Sequence, residues 1–240
     1  MADEPMGRFW DERARENAFY FVDDRLDYND TDVERFWSDG LKDLDRLLDT
    51  AGASIDPGDT VVDIGCGIGR LTRAALERGA ARVLGVDVSS EMIARARTLN
   101  AHLPGAEFHH GDGRRLTGLP DGIADACISH VVFQHIPDPE VTLGYVREMG
   151  RVLRPGGWAA FQVSNDPSIH RPRSTGLAGP VRRLLGREPR GRSAAAWLGS
   201  AVDLADLRAA ADDALLDTER VAGEGTQFCC VVLRRRGCGG

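Results

Sequence analysis

The stretch Thr60–Asp87, TVVDIGCGIGRLTRAALERGAARVLGVD, constrains this chain more than any other. Val61, Val62 and Ile64 form a short β-branched run of the kind carried by a strand buried on both faces. Gly65, Gly67 and Gly69 follow at alternate positions, where the backbone must turn sharply and a ligand must come close. Leu71 to Arg78 is good helix sequence with Gly79 as its stop. Arg82 to Val86 reads as a second strand, and Asp87 ends it. A carboxylate about twenty residues past the first glycine, at the mouth of a strand–helix–strand crevice, suits the grip on a ribose diol. The unit predicts a nucleoside-containing cofactor without saying which one.

The 240 residues suffice for one large α/β domain or two small ones, and 42% hydrophobic with 28% charged residues is ordinary globular composition. No apolar run approaches the roughly 18 residues that a membrane span needs. The beginning, MADEPMGRFWDER, is acidic where a signal peptide would be basic, so a cytoplasmic protein without a membrane partner is expected. The five cysteines make no CxxC pair, which argues against a disulfide frame or a zinc site, and no metal is expected. A net charge of −7 opposes a general nucleic-acid binder.

The remaining elements follow in order. Arg8 to Ala18 reads as a helix, then YFVDDRLDYND as an irregular linker. Thr31 with Glu34 makes a capping box for a helix to about Leu48. Eight of the fifteen aromatic residues lie in the first 37 positions, among them Trp10 and Tyr20. Residues 1–50 are thus a helical layer on the main domain, or a lid whose aromatics wall a substrate pocket. Ser89/Ser90 cap a helix towards Asn100, Glu107 to His110 is a third strand and Asp125 to His130 a fourth. Asp138-Pro139 starts a helix to Leu153, which Arg154-Pro155-Gly156-Gly157 stops before a fifth strand, Trp158 to Val163. A Pro-, Gly-, Ser- and Arg-rich insert, 165–196, interrupts the alternation. Ser200 with Asp203 opens one more helix, and two strands joined by Gly223-Glu224-Gly225 can only form an antiparallel hairpin. Residues 51–234 make one α/β domain, a seven-stranded, mostly parallel sheet with helices on both faces, and 235–240 is a tail.

A GxGxG turn with a distal acid fits a dinucleotide as well as a nucleoside. The closing hairpin, Gly111-Asp112 at the end of the third strand and the LRPGGW stop favour the second. VVDIGCGIG, GVDVSSEM, HHGDGRRL, ISHVVFQHIPDP and LRPGGW, in this order, resemble the class I S-adenosylmethionine-dependent methyltransferases. The likeness is to the small-molecule branch related to ubiquinone and menaquinone biosynthesis, and it covers about Thr60 to Val163. It implies a Rossmann-like fold and S-adenosyl-L-methionine as cofactor. It further implies that Asp63, Gly65, Cys66, Gly67 and Gly69 surround the methionine part and that Asp87 takes the ribose hydroxyls. Val88 and Met92 would pack on adenine, Asp112 and Gly113 would bond its edge, and Ser129 and His130 would lie beside the sulfonium. Plainer readings stay open: Cys66 as a small side chain that fits, Met92 as core, Asp112 as a turn residue.

Near the methyl group the resemblance leaves two groups that titrate near neutrality, His130 and His135. His135 is the candidate base or acceptor orienter, with Gln134 beside it, and a structural histidine is the alternative. Arg171, Arg173, Arg182, Arg183, Arg187, Arg190 and Arg192 form either a solvated loop or a guanidinium site for an anionic acceptor. The function implied is methyl transfer to O, N or C of a small metabolite. A binding protein without transfer, a cyclase or decarboxylase in the same pocket and a peptide methyltransferase remain alternatives, and the oligomeric state is open.

Overall fold

A computed structural model describes residues 6–170 and 194–237. Seven strands form one sheet in the order β3-β2-β1-β4-β5-β7-β6. They are β1 (Thr60–Ile64), β2 (Arg82–Asp87), β3 (Ala106–His110), β4 (Ala124–Ser129), β5 (Leu153–Val163), β6 (Leu216–Ala222) and β7 (Cys229–Arg235). The first five pair in parallel, whereas β7 inserts antiparallel between β5 and β6. The expected mixed sheet with a reversed closing hairpin is therefore present.

Helices cover both faces: α1 (Met6–Val22), α2 (Val33–Ala51), α3 (Arg70–Glu77), α4 (Ser90–Leu99), α5 (Pro139–Val152), α6 (Ala195–Leu198) and α7 (Leu204–Asp213). Successive residues of the central strands enter opposite cores, as a pleated strand requires. Cys127 joins the core under α5 and α7, while Ala126 and Ile128 join the one under α2 and α3. Both sides being buried explains why β1 reads as a continuous apolar run rather than an alternating one.

Several boundaries differ from the expectation. The N-cap of α2 is Asp32, whose carboxylate accepts from Arg35 N at 2.9 Å, rather than Thr31. α1 reaches Val22 and takes in Tyr20 and Phe21 from the expected linker. It is kinked at Asn17, whose amide oxygen accepts from Tyr20 N, a local bond that competes with the helix ladder. β5 begins at Leu153, because Leu153 already pairs with Ala124 before a register shift carries the strand past Gly156. Arg234 and Arg235 belong to β7, and Arg236 N bonds Leu215 O, so pairing continues into the expected tail. The arginines of the insert lie outside the described residues, but its end forms α6.

Two contacts fasten the N-terminal helices to the sheet domain. Asp11 of α1 accepts from Ser89 Oγ at 2.6 Å and Glu91 N at 3.0 Å, adding a second carboxylate cap to α4. Asp43 of α2 accepts from Arg70 Nη1 of α3 at 2.6 Å, with both side chains buried. Among the described residues no helix is long and apolar enough to cross a membrane.

The Asp43–Arg70 pair sets a stability test. Removing one partner of a buried pair leaves the other charge uncompensated, which costs about 3 kcal/mol. Asp43→Ala should lower urea-unfolding stability at pH 7 by about that much. Its hydrogen bonds to Arg25 and Arg70 outweigh burial and hold the Asp43 carboxyl down at about 2. Its contribution is therefore complete above the ordinary value near 4 and lost as pH falls through about 2. The gap between variant and parent should narrow across that acidic window.

Candidate functional site

At the carboxyl ends of β1, β2 and β4 the sheet opens into a cavity enclosing about 1060 Å³ including its mouth. β1 has β2 on one side and β4 on the other, so the crevice lies at the switch point where parallel sheets take ligands. Gly65 and Gly67 turn the chain there at φ of 73° and 54°. A Cβ on Gly65 would fall 2.4 Å from Val132, and one on Gly67 2.7 Å from Val22 of α1. The glycines thus allow the loop after β4 and the cap to close directly on the turn.

Asp87 ties this turn to the next one. One carboxylate oxygen accepts from Gly67 N at 2.9 Å and the other from Ser89 N at 2.8 Å. Burial raises its pKa against the lowering effect of those two amides. Each oxygen keeps a lone pair for a ligand hydroxyl. Val88 and Met92 flank it, and Met6 of α1 reaches over Val88 and Gly113.

Deeper in, Asp63 accepts from Thr72 Oγ1 at 2.7 Å. Burial pushes it up to about 6; the Thr72 bond lowers it and the Asp87 charge raises it further. Its compensation comes from Thr72 and from the Arg70 charge. The cation already beside the cavity is committed elsewhere. Arg70 pairs with Asp43 at 2.6 Å and Asp23 at 3.6 Å, and its Nη2 contacts His130 Nδ1 at 3.4 Å. Burial, helped by the Arg70 charge, pushes His130 down to about 4, so its ring is neutral at pH 7.

On the other side, a single 3₁₀ turn at Phe133–His135 presents His135 to the cavity. His135 Nδ1 lies 2.9 Å from Trp197 O, a carbonyl that can only accept, so Nδ1 carries the proton and Nε2 the lone pair. The Gln134 amide nitrogen contacts Nε2 at 3.3 Å. Burial lowers the His135 pKa, although the Trp197 carbonyl and the Asp24 charge pull it back up. Around it stand Trp10, 5.6 Å away edge-on, and Trp197 at 5.2 Å, with Phe21 5.8 Å from Trp197.

Of the residues singled out from sequence, Asp63, Gly65, Cys66, Gly67, Asp87, Val88, Met92, His130, His135 and Trp10 line this one cavity. Others do not. Gly69 begins α3 and packs against Asn100 and Phe108. Ser129 is buried and donates to Ile64 O at 2.8 Å, a bond between strands. Asp112 turns into its own loop, accepting from Arg114 N, Arg115 N and Thr117 Oγ1, and Gly113 packs behind Val88. Tyr20 is buried against Phe21 and Tyr28, and Gln134 backs His135 from outside the lining. Cys66 is buried with its thiol pushed well up by burial, a poor nucleophile. Phe21, one of the N-terminal aromatics, also lines the cavity, whereas sequence reasoning passed over Arg70, Asp24 and Tyr145, whose hydroxyl burial keeps protonated. Arg70 directly follows the glycine turn, the one local signal that could have flagged it. Among the described residues no group of His, Cys, Asp or Glu could hold a metal ion.

Residues 62–161 match a family model described as a methyltransferase domain. Similar proteins include a trans-aconitate 2-methyltransferase of Azoarcus, 39% identical over 61% of this chain and 56% of that one. An N-demethylindolmycin N-methyltransferase of Streptomyces griseus is 31% identical over 52% of each chain. This chain thus spans about half the length of these curated relatives. A solved S-adenosylmethionine-dependent methyltransferase from Mesorhizobium loti superposes with a TM-score of 0.60 at 25% identity, covering 80% of this chain and 96% of that one.

One backbone feature of the cavity wall yields a test. Val131, between His130 and Val132, has φ 57°, a conformation that a β-branched residue rarely adopts. Such strain costs of order 1–3 kcal/mol. Val131→Gly should therefore raise stability in urea unfolding, by about 1 kcal/mol after the added freedom of glycine in the unfolded chain is offset.

Proposed function

We propose that the chain, whose residues 62–161 match a methyltransferase domain, is a class I S-adenosylmethionine-dependent methyltransferase that transfers a methyl group to a heteroatom or carbon of a small metabolite. The observation that carries this reading is Asp87, a carboxylate held between the Gly67 and Ser89 amides at the rim of the cavity. In that position it accepts the two ribose hydroxyls. The residues fit the rest of S-adenosylmethionine as well: Asp63 is bonded by Thr72 and feels the Arg70 charge, and an α-ammonium would add a direct cationic partner, while Val88 and Met92 offer apolar surface for adenine. Tyr145 keeps its proton and can donate to the same nucleoside.

When bound, S-adenosylmethionine supplies an electrophilic methyl on a sulfonium, whose departure needs no protonation. The protein's task is alignment, exclusion of water and handling of the acceptor's proton. His135 is the base or orienter in this reading. Its Nδ1–H bond to Trp197 O leaves the lone pair on Nε2, where an acceptor would replace the Gln134 amide that lies 3.3 Å away, and burial lowers its pKa. Val22 and Met6 of the cap close over the glycine turn and Val88, which keeps water from the reacting pair. A net charge of −7 supports a small acceptor rather than nucleic acid. Buried free thiols at Cys66, Cys127, Cys229 and Cys230 support a reducing, cytoplasmic setting.

Two measurements test the reading. Titration calorimetry with S-adenosylhomocysteine should give a dissociation constant at least about 100-fold weaker for Asp87→Ala, the worth of charge-assisted bonds to two hydroxyls. Unchanged affinity would remove Asp87 from the cofactor site. In a methyl-transfer assay analysed by mass, the acid limb of the pH–rate profile should fall below the ordinary histidine value of about 6.5 and vanish in His135→Gln. A variant with the parental profile would leave His135 a structural role only.

A further inference from the structure

The half of the cavity remote from Asp87 carries its own chemistry. Trp10 and Phe21 come from α1, His135 from the turn after β4, and Trp197 stands behind them on α6. Their ring centroids lie 5.2 to 6.2 Å apart. The box is braced rather than loose. Gly199 leaves α6 with φ 60° pressed so closely on Gln134 O that a Cβ would fall 1.7 Å from it, and Ser200 Oγ donates to Ile136 O at 2.7 Å. α6 is thereby fastened to the turn that presents His135. Aromatic faces, two pairs of them edge-on and two tilted at about 40°, are suited to a planar ring, which they meet by edge and face contacts.

The charges in the wall are one-sided. Asp24, Asp63 and Asp87 line the cavity, and Asp24 lies close enough to His135 for its charge to act on the imidazole. Against these three carboxylates Arg70 is the one cation among the described lining residues, and it is already held by Asp43 and Asp23. His130 and His135 stay neutral at pH 7. An acceptor carboxylate entering here would face Asp24. A neutral ring, or one carrying a protonated amine, meets aromatic faces and a carboxylate, both favourable to positive charge.

Resting on the methyltransferase reading, we propose that the acceptor is a planar aromatic or heteroaromatic phenol or amine, neutral or cationic, and that this end of the cavity selects against carboxylates. The acceptor O–H or N–H replaces the Gln134 amide at His135 Nε2 and gives it its proton as the acceptor's heteroatom pair bonds the methyl carbon. The carbon–sulfur pair leaves with sulfur, so the positive charge passes from sulfonium to imidazolium, within reach of Asp24.

The test is calorimetric titration of the S-adenosylhomocysteine-loaded full chain with a matched set of probes: 5-hydroxyindole, serotonin, 5-hydroxyindole-3-acetate and tricarballylate. The neutral and cationic rings should bind at least tenfold more tightly than the ring carboxylate, and tricarballylate most weakly. Asp24→Asn should shrink the gap between serotonin and the ring carboxylate, and Trp10→Ala should weaken all three ring probes. Equal or tighter binding of either carboxylate overturns the proposal, as does failure of every ring to bind a protein that has taken up S-adenosylhomocysteine. Failure to bind S-adenosylhomocysteine itself strikes the methyltransferase reading underneath.

Discussion

The buried pair between Asp43 and Arg70 joins the two parts on which the site depends. Arg70 opens the helix that leaves the glycine turn, and Asp43 lies on the second helix of the N-terminal cap. Both would carry a heavy desolvation cost alone, so the cap cannot leave α3 without exposing or stranding a charge. The same guanidinium spans Asp23 at the end of α1 and His130 at the end of β4. One side chain thus sets the spacing between cap, glycine turn and the loop after β4. Gly40 permits it: a Cβ there would fall 2.6 Å from Arg70 Cγ, so a larger residue would push α2 away from the pair.

This arrangement gives the cavity two chemically distinct ends. Near β2 a carboxylate, backbone amides and apolar side chains surround a nucleoside-sized space. Near the turn after β4, aromatic rings and a neutral imidazole take over. Because Arg70 is consumed by the cap latch, its positive charge does not reach either end as a free cation. Arg70 therefore acts through position, and Asp24, Asp63 and Asp87 are the carboxylates among the described lining residues.

Much of this was legible beforehand where the signal is local. The β1–α3–β2 unit, the Ser89 and Asp138 caps and the closing hairpin each depend on residues within a few positions of one another, and each stands where the sequence indicates. What the sequence does not show is decided by neighbours. Asp112 accepts from three donors of its own loop, and Ser129 donates to Ile64 O. The polar run around Asp23 and Asp24 looked like a linker, yet Tyr20 and Phe21 are helical because their rings are buried beside Tyr28 and Trp197. Asp43 and Arg70 are separated by 27 residues and carry no mutual signal.

The sequence by itself determined the architecture and the nature of the cofactor pocket, because glycine conformation, strand burial and a carboxylate at a strand end are properties of single residues and their immediate spacing. Only the tertiary structure decided which groups remain available inside the pocket. Availability is what is left after each charge and donor has found its partner, and for Arg70, Asp112, Ser129 and His135 those partners are fixed by packing.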